Sequence, residues 1–193
     1  MPESEPPKNL LPVLSSLAEW LNHEKVSYAI IGGVAIGLIG QARATQDIDA
    51  VVWLDLENAA ALIDSGARFG FAPRISDPVE FARKTRVLLF RHADTNIGVD
   101  ISCGVLPFEQ EMIERAVEFT AGDLMLNVAS PEDLIITKAV AHRSRDLIDI
   151  DNLLDIYPGL DFSRVRFWVK EFASVLEAPE LVEDLEKLLR NRS

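Results

Sequence analysis

The reading turns on "YAIIGGVAIGLIGQARATQDIDAVVWL", residues 28–54. An apolar run meets Gly32-Gly33, passes through one short helical stretch, and returns as an apolar run carrying Asp47 and Asp49. In a strand, residues i and i+2 point to the same face, so these two carboxylates lie side by side. Two like charges on a half-buried strand repel one another and are costly to desolvate. Such a pair calls for a hard cation, and Mg²⁺ takes one or two carboxylates together with phosphate oxygens. The glycines complement it. A strand that breaks at Gly-Gly and turns into a helix offers backbone N–H groups to an anion, with no Cβ in the way.

Working outward, Leu10, Leu14, Leu17 and Leu21 recur at helical spacing over residues 10–23. Val26–Ile31 is of strand length, Val34–Ile39 is helical, and Asp47–Leu54 alternates as a strand. Glu57–Ser65 predicts a helix closed by Gly66, and Val79–Lys84 a further short one. Arg86–Arg91 and Ile97–Cys103, joined by the turn-like Ala93-Asp94-Thr95-Asn96, predict a β-hairpin. A helix over Phe108–Ala116 and a last strand over Leu124–Val128 follow. "SPEDLIITKAVAHR" opens with Ser130 as N-cap, Pro131 at the first helical position and acids in the first turn. Helices over Asp146–Tyr157, about 163–175 and about 178–190 close the chain.

Mixed elements followed by helices describe an α+β protein: a small mixed β-sheet flanked by helices, with a helical C-terminal part. The expected divisions are a disordered lead-in over 1–9, a core over 10–130 and a helical part over 131–193.

In "NIGVDISCG", Asp100 sits with Gly98 and Ser102 on the face opposite Ile97, Val99 and Ile101. If that strand lies beside Asp47–Leu54, three carboxylates converge, as a two-metal phosphoryl-transfer site requires. A structural ion pair with Arg86 or Arg91 is the other reading of Asp100. Lys138, His142 and Arg145 fall at i, i+4 and i+7, a basic stripe suited to a triphosphate or to pairing with Asp146 and Asp149.

Composition sets limits. The net charge is −12, so any nucleic-acid contact has to be local, and residues 83–91 and 138–145 are the basic stretches. Single Cys103 excludes an internal disulfide and a multi-Cys zinc site, and suits a reducing cytoplasm. No apolar stretch is long enough to span a membrane, and "MPESEPPKNLL" has no secretory h-region. His23 and His92 are expected at the surface.

Gly32-Gly33, about a dozen residues and then Asp47-Ile48-Asp49, with a later strand acid, resembles the core motif of the DNA-polymerase-β-like nucleotidyltransferase superfamily. The fuller "GGVAIGLIGQARATQDIDAVV" is similar to the branch of AbiEii/AbiGii-type nucleotidyltransferase toxins, in which an R-x-T precedes D-I-D; here Arg43 and Thr45 stand there. "SPEDLIITKAVAHRSRDLIDIDNLL" resembles that branch's second signature, and the likeness spans about residues 26–157. Where many members have Ser as the second residue of the glycine motif, this chain has Gly33, leaving only backbone N–H groups for phosphate.

The resemblance implies transfer of a nucleoside monophosphate from an NTP to a hydroxyl. Asp47, Asp49 and Asp100 would be the catalytic and metal-holding residues, with two Mg²⁺ ions. Gly32, Gly33, Arg43, Thr45, Lys138, Asp146 and Asp149 would serve the nucleotide. The acceptor would be RNA or protein, in a toxin–antitoxin or phage-defence setting with a cognate antitoxin. The alternatives are an antibiotic-type small-molecule nucleotidyltransferase and a non-catalytic regulatory module of the same fold.

Overall fold

The computed structural model describes residues 10–41 and 45–190; Arg43 and the expected lead-in over 1–9 lie outside the described residues. Helix α1 (Leu11–His23) leads into strand β1 (Tyr28–Ile31), helix α2 (Gly32–Ile39) and strand β2 (Asp47–Val52). A 3₁₀ turn over Leu56–Asn58 then opens helix α3 (Ala59–Gly66), so the expected helix starts two residues late. Strand β3 (Phe71–Pro73), helix α4 (Pro78–Thr85) and the hairpin of β4 (Val87–His92) and β5 (Gly98–Cys103) follow. After helix α5 (Pro107–Glu114) come strands β6 (Val117–Ala121) and β7 (Leu124–Val128). Helices α6 (Pro131–Ala141), α7 (Ser144–Ile156), α8 (Phe162–Val175) and α9 (Glu180–Arg190) complete the chain.

The strands form one mixed sheet in the order β3-β4-β5-β2-β1-β7-β6. β2 is central, antiparallel to β1 and parallel to β5. Ile48, Ala50, Val52, Val99, Ile101 and Phe90 share one face and are buried. Trp20 of α1 seals that side. It stacks on Phe71 at 5.1 Å, meets Phe90 edge-on at 5.1 Å, and donates from Nε1 to Ser65 Oγ of α3 at 2.8 Å. One indole thus ties together α1, α3, β3 and β4.

The opposite face carries Asp47, Asp49 and Asp100 at one end and Val51 and Ser102 behind them. Helices α5, α6 and α8 cover the latter part, with Phe108 packed against Trp168 and Phe172 at ring distances of 5.3 Å. A buried ion network clamps these three helices. Arg164 of α8 holds fully buried Asp133 of α6 at 2.8 Å and also pairs with Glu111 of α5.

Four local expectations are corrected. Strands β3 and β6 emerge where none is expected, because each is short and borrows its order from a neighbour, β4 or β7. The helix after β1 starts at Gly32 rather than Val34, so both glycines belong to its first turn. His92 is buried against Phe71 and bonded to Thr95 Oγ1 at 3.1 Å, because its strand turns it inward. Lys138, His142 and Arg145 do not form one stripe: α6 ends at Ala141, His142 takes a left-handed conformation (φ 51°), and Arg145 lies on α7. His142 instead approaches Asp184 of α9 at 3.0 Å.

Candidate active site

The register decides what meets. Asp49 lies opposite Asp100 on β5 and opposite Ile31 on β1, while Asp47 lies opposite Gly98. The conditional convergence of three carboxylates is therefore met by direct cross-strand pairing. Asp47 is exposed; Asp49 and Asp100 are half-buried.

Two glycines make room for these acids. Gly32 has φ +68°, and a Cβ there would stand 2.1 Å from Asp49 Oδ2. At Gly98 a Cβ would come 2.6 Å from Asp47 Oδ1. Each carboxylate thus occupies the space that an ordinary side chain would claim. The N-terminus of α2 has no side-chain cap, and Asp49 lies against it. Gly33, behind it, is buried.

The electrostatics follow from crowding. Burial, and then the charges of Asp100 and Asp47, push the Asp49 carboxyl above the usual carboxylate range; Lys138 and Arg143 pull it back in part. Burial also raises Asp100, against the pull of Arg74, with Asp47 adding to the rise. Arg74, just beyond β3, forms an ion pair with Asp100. The pairing with Arg86 or Arg91 expected as an alternative does not form: Arg86 donates to the carbonyls of Cys103 and Gly104, and Arg91 to Asn96.

A second cluster stands beside the first. Lys138 is buried between Asp146 at 2.8 Å and Asp149 at 2.9 Å, and Arg143 reaches Asp146 at 2.6 Å. Burial works against the Asp146 charge, yet bonds from Arg143 and Lys138 hold its carboxyl below the ordinary range. Two cations and two carboxylates leave this cluster formally neutral. It holds Lys138 near enough to lower the Asp49 carboxyl in part, without discharging the three-acid group. Thr45 donates to the backbone carbonyl of Asp47 at 3.2 Å, bracing the start of β2.

The acids fit a hard divalent cation by donor chemistry, and Gly32 and Gly98 give the carboxylates the room to stand where they do. Among the described residues, no group of three or more His, Cys, Asp or Glu side chains is already drawn to metal-ligating spacing. Asp100 is turned to Arg74 instead. Behind the acids an apolar recess of about 210 Å³ runs between Ile31, Val51 and Ser102 of the sheet and Phe108, Thr137 and Phe172 of the helices. A larger recess of about 530 Å³, lined by Lys25, Tyr28, Trp53 and Asn127, lies at the other end of β1 and contains none of the carboxylates.

Arg74 and Arg143 are not among the expected site residues. Arg74 follows a three-residue strand, and its partner is 26 residues away, so no local spacing marks it. Arg143 lies in the basic stretch 138–145, and its separation of three from Asp146 is the signal that was there to use. Cys103 is buried with its thiol pushed up to about 11 by burial, which suits a core residue and not a nucleophile.

Among solved structures, the chain is similar to an antigenic nucleotidyltransferase-like protein from Paracoccidioides brasiliensis. The TM-score is 0.57 at 17% identity, over 94% of each chain. It is also similar to the antibiotic-resistance factor ANT(2'')-Ia in complex with adenylyl-2''-tobramycin. There the TM-score is 0.57 at 16% identity, over 88% of this chain and 99% of that one. At such identities the likeness establishes the fold alone. Among curated proteins, none matches the chain. The family described as "Nucleotidyl transferase AbiEii toxin, Type IV TA system" matches residues 16–192, which include both ion clusters and the glycine turn. The chain belongs to this AbiEii family of toxin–antitoxin nucleotidyltransferases, and it is a nucleotidyltransferase.

Proposed function

We propose that the protein transfers a nucleoside monophosphate from an NTP to a hydroxyl on RNA or protein, using Mg²⁺ at Asp47, Asp49 and Asp100, as the toxin of a toxin–antitoxin pair. The observation that supports this most is the cross-strand pairing of Asp49 with Asp100 beside a glycine turn that has no Cβ to fill the space.

Asp47 and Asp49 would be the principal holders of the metal, with Asp100 completing the set. Mg²⁺ bound there (two ions in this reading) would supply Lewis-acid charge to the α-phosphate and to the pyrophosphate leaving group. The chain's own part is positional. The backbone N–H groups of Gly32 and Gly33 at the start of α2 bind phosphate oxygens, and Arg43 and Thr45 serve the nucleotide, as the family resemblance implies. The apolar recess behind Val51 seats the nucleoside.

Asp100, whose carboxyl burial raises, accepts the acceptor's hydroxyl proton at its oxygen. Lys138, held by Asp146 and Asp149, brings positive charge toward the phosphate site from a fixed buried seat. The family's type IV system supports a cognate antitoxin as partner. Among the described residues no helix is long and apolar enough to cross a membrane.

The small-molecule reading is favoured by two features: the fold shared with an antibiotic-resistance factor and the net charge of −12, which discourages a long RNA footprint. One experiment separates the acceptors. Wild-type protein and Asp47→Ala/Asp49→Ala are incubated with Mg²⁺, each NTP labelled at the α-phosphate, and separated pools of cell RNA, protein and metabolites. The expected result is wild-type-dependent label on RNA or protein. Label confined to the metabolite pool contradicts the macromolecular acceptor.

A further inference from the structure

Arg74 is anchored by its backbone N–H, which donates to Leu89 O at 2.9 Å, so its side chain extends from a fixed root. From there the guanidinium crosses β5 over Gly98. A Cβ at Gly98 would lie 3.2 Å from Arg74 Nη1 and 2.6 Å from Asp47 Oδ1, so Gly98 keeps open the channel in which Arg74 lies between Asp47 and Asp100. Nη2 donates to Asp100 Oδ1. Nε is shut off from solvent and, among the described residues, has no hydrogen-bond partner. A buried donor left unmade is a cost, and a seat that imposes one is a seat readily given up.

The charge balance explains why the guanidinium is there. Asp47, Asp49 and Asp100 bring three negative charges together. The Lys138–Arg143–Asp146–Asp149 cluster is internally neutral, and among the described residues Arg74 is the cation paired with an acid of the triad. Arg74 takes Oδ1 of Asp100, and a divalent ion drawing on that oxygen would compete with the guanidinium for it. The two occupants exclude one another at that oxygen.

We propose that Arg74 is the exchange partner of the metal: it neutralises Asp100 in the metal-free protein, is displaced when a divalent cation enters, and then binds the triphosphate oxygens of the NTP. This rests on the metal site proposed above. A guanidinium fork matches phosphate oxygens bidentately, and the displaced side chain remains rooted beside the site. No group is transferred in this step; one ion pair is traded for two.

The exchange has a signature of opposite signs. By titration of Mn²⁺ alone, followed through the EPR signal of the free ion, Arg74→Gln should bind about tenfold more tightly than wild type, since a competing charge is gone. With saturating Ca²⁺, the same variant should bind ATP about tenfold more weakly, since a phosphate ligand is gone. Arg74→Lys, which keeps the charge and loses the fork, should fall between wild type and Arg74→Gln in both. A structural lesion would weaken both affinities together.

The wild-type chain gives an independent reading. With ¹⁵N-labelled arginine, the Arg74 Nε–H should exchange slowly in the metal-free protein and fast on addition of Mg²⁺. Mn²⁺ binding by Arg74→Gln no tighter than wild type, ATP binding no weaker, or an Nε–H signal unmoved by Mg²⁺ overturns the exchange. Asp47→Asn separates this from failure of the metal site: it should abolish Mn²⁺ binding, and wild type that binds no Mn²⁺ overturns the site and the exchange together.

Discussion

At the scale of single residues, Gly32 and Asp49 form one unit. Ala at position 32 must adopt a left-handed φ and thrust a Cβ to within 2.1 Å of Asp49 Oδ2. Gly32→Ala should therefore cost about 1–2 kcal/mol from the backbone alone and displace the carboxylate, so nucleotidyl transfer falls further than stability. Urea denaturation and initial rates measured side by side check this. Asp49 supplies the converse case. Its folded-state carboxyl is raised, so the folded chain holds that proton more tightly than the unfolded one, and stability is lost as pH climbs from the ordinary Asp value through the raised one. Asp49→Asn removes that charge. The metal-free variant should be more stable than wild type at neutral pH, with the gain disappearing below about pH 4 and activity abolished. A variant less stable than wild type at neutral pH contradicts the crowding of the three acids.

At the scale of elements, α6 and α7 are joined to the site through Lys138. Removing this buried cation strands Asp146 and Asp149 without it, and Lys138→Met should cost about 3–5 kcal/mol at neutral pH. The Asp146 carboxyl is held below the ordinary range, so its contribution is present above the unfolded value and is lost as pH falls through the folded one. The deficit of Lys138→Met should accordingly shrink when the denaturation is repeated at pH values below the ordinary Asp range.

The same elements show what the sequence makes legible. Ser130-Pro131 marks the start of α6 because an N-cap acceptor and a fixed φ are local chemistry, and Ser130 does accept from the Asp133 N–H. Period-two alternation places Asp100 on the right face of β5 for the same reason. What local pattern does not carry is long-range pairing. Asp133 looks like an ordinary first-turn acid, yet it is fully buried on Arg164, 31 residues on. Arg74 and β3 escape notice because three residues ending in proline have no periodicity; β4 gives them their order.

At the scale of the whole molecule, the sheet divides the labour. One face is closed by α1 and its Trp20 contacts, while the other leaves its acids open at the end of β2 and covers the remainder with α5, α6 and α8. The Arg164–Asp133–Glu111 network holds that cover in place. An enzyme so built places its chemistry where a rigid sheet meets a helical wall. A net charge of −12 disfavours a long nucleic-acid footprint.

The measurement closest to the central claim compares the fate of two labels. The protein is given Mg²⁺, its acceptor pool and the same NTP labelled either at the α- or at the γ-phosphate. Nucleotidyl transfer at Asp47 and Asp49 should place the α-label on the acceptor, release the γ-label as pyrophosphate, and do neither in Asp49→Asn. Acceptor carrying the γ-label, or α-label transferred undiminished by Asp49→Asn, would contradict the account.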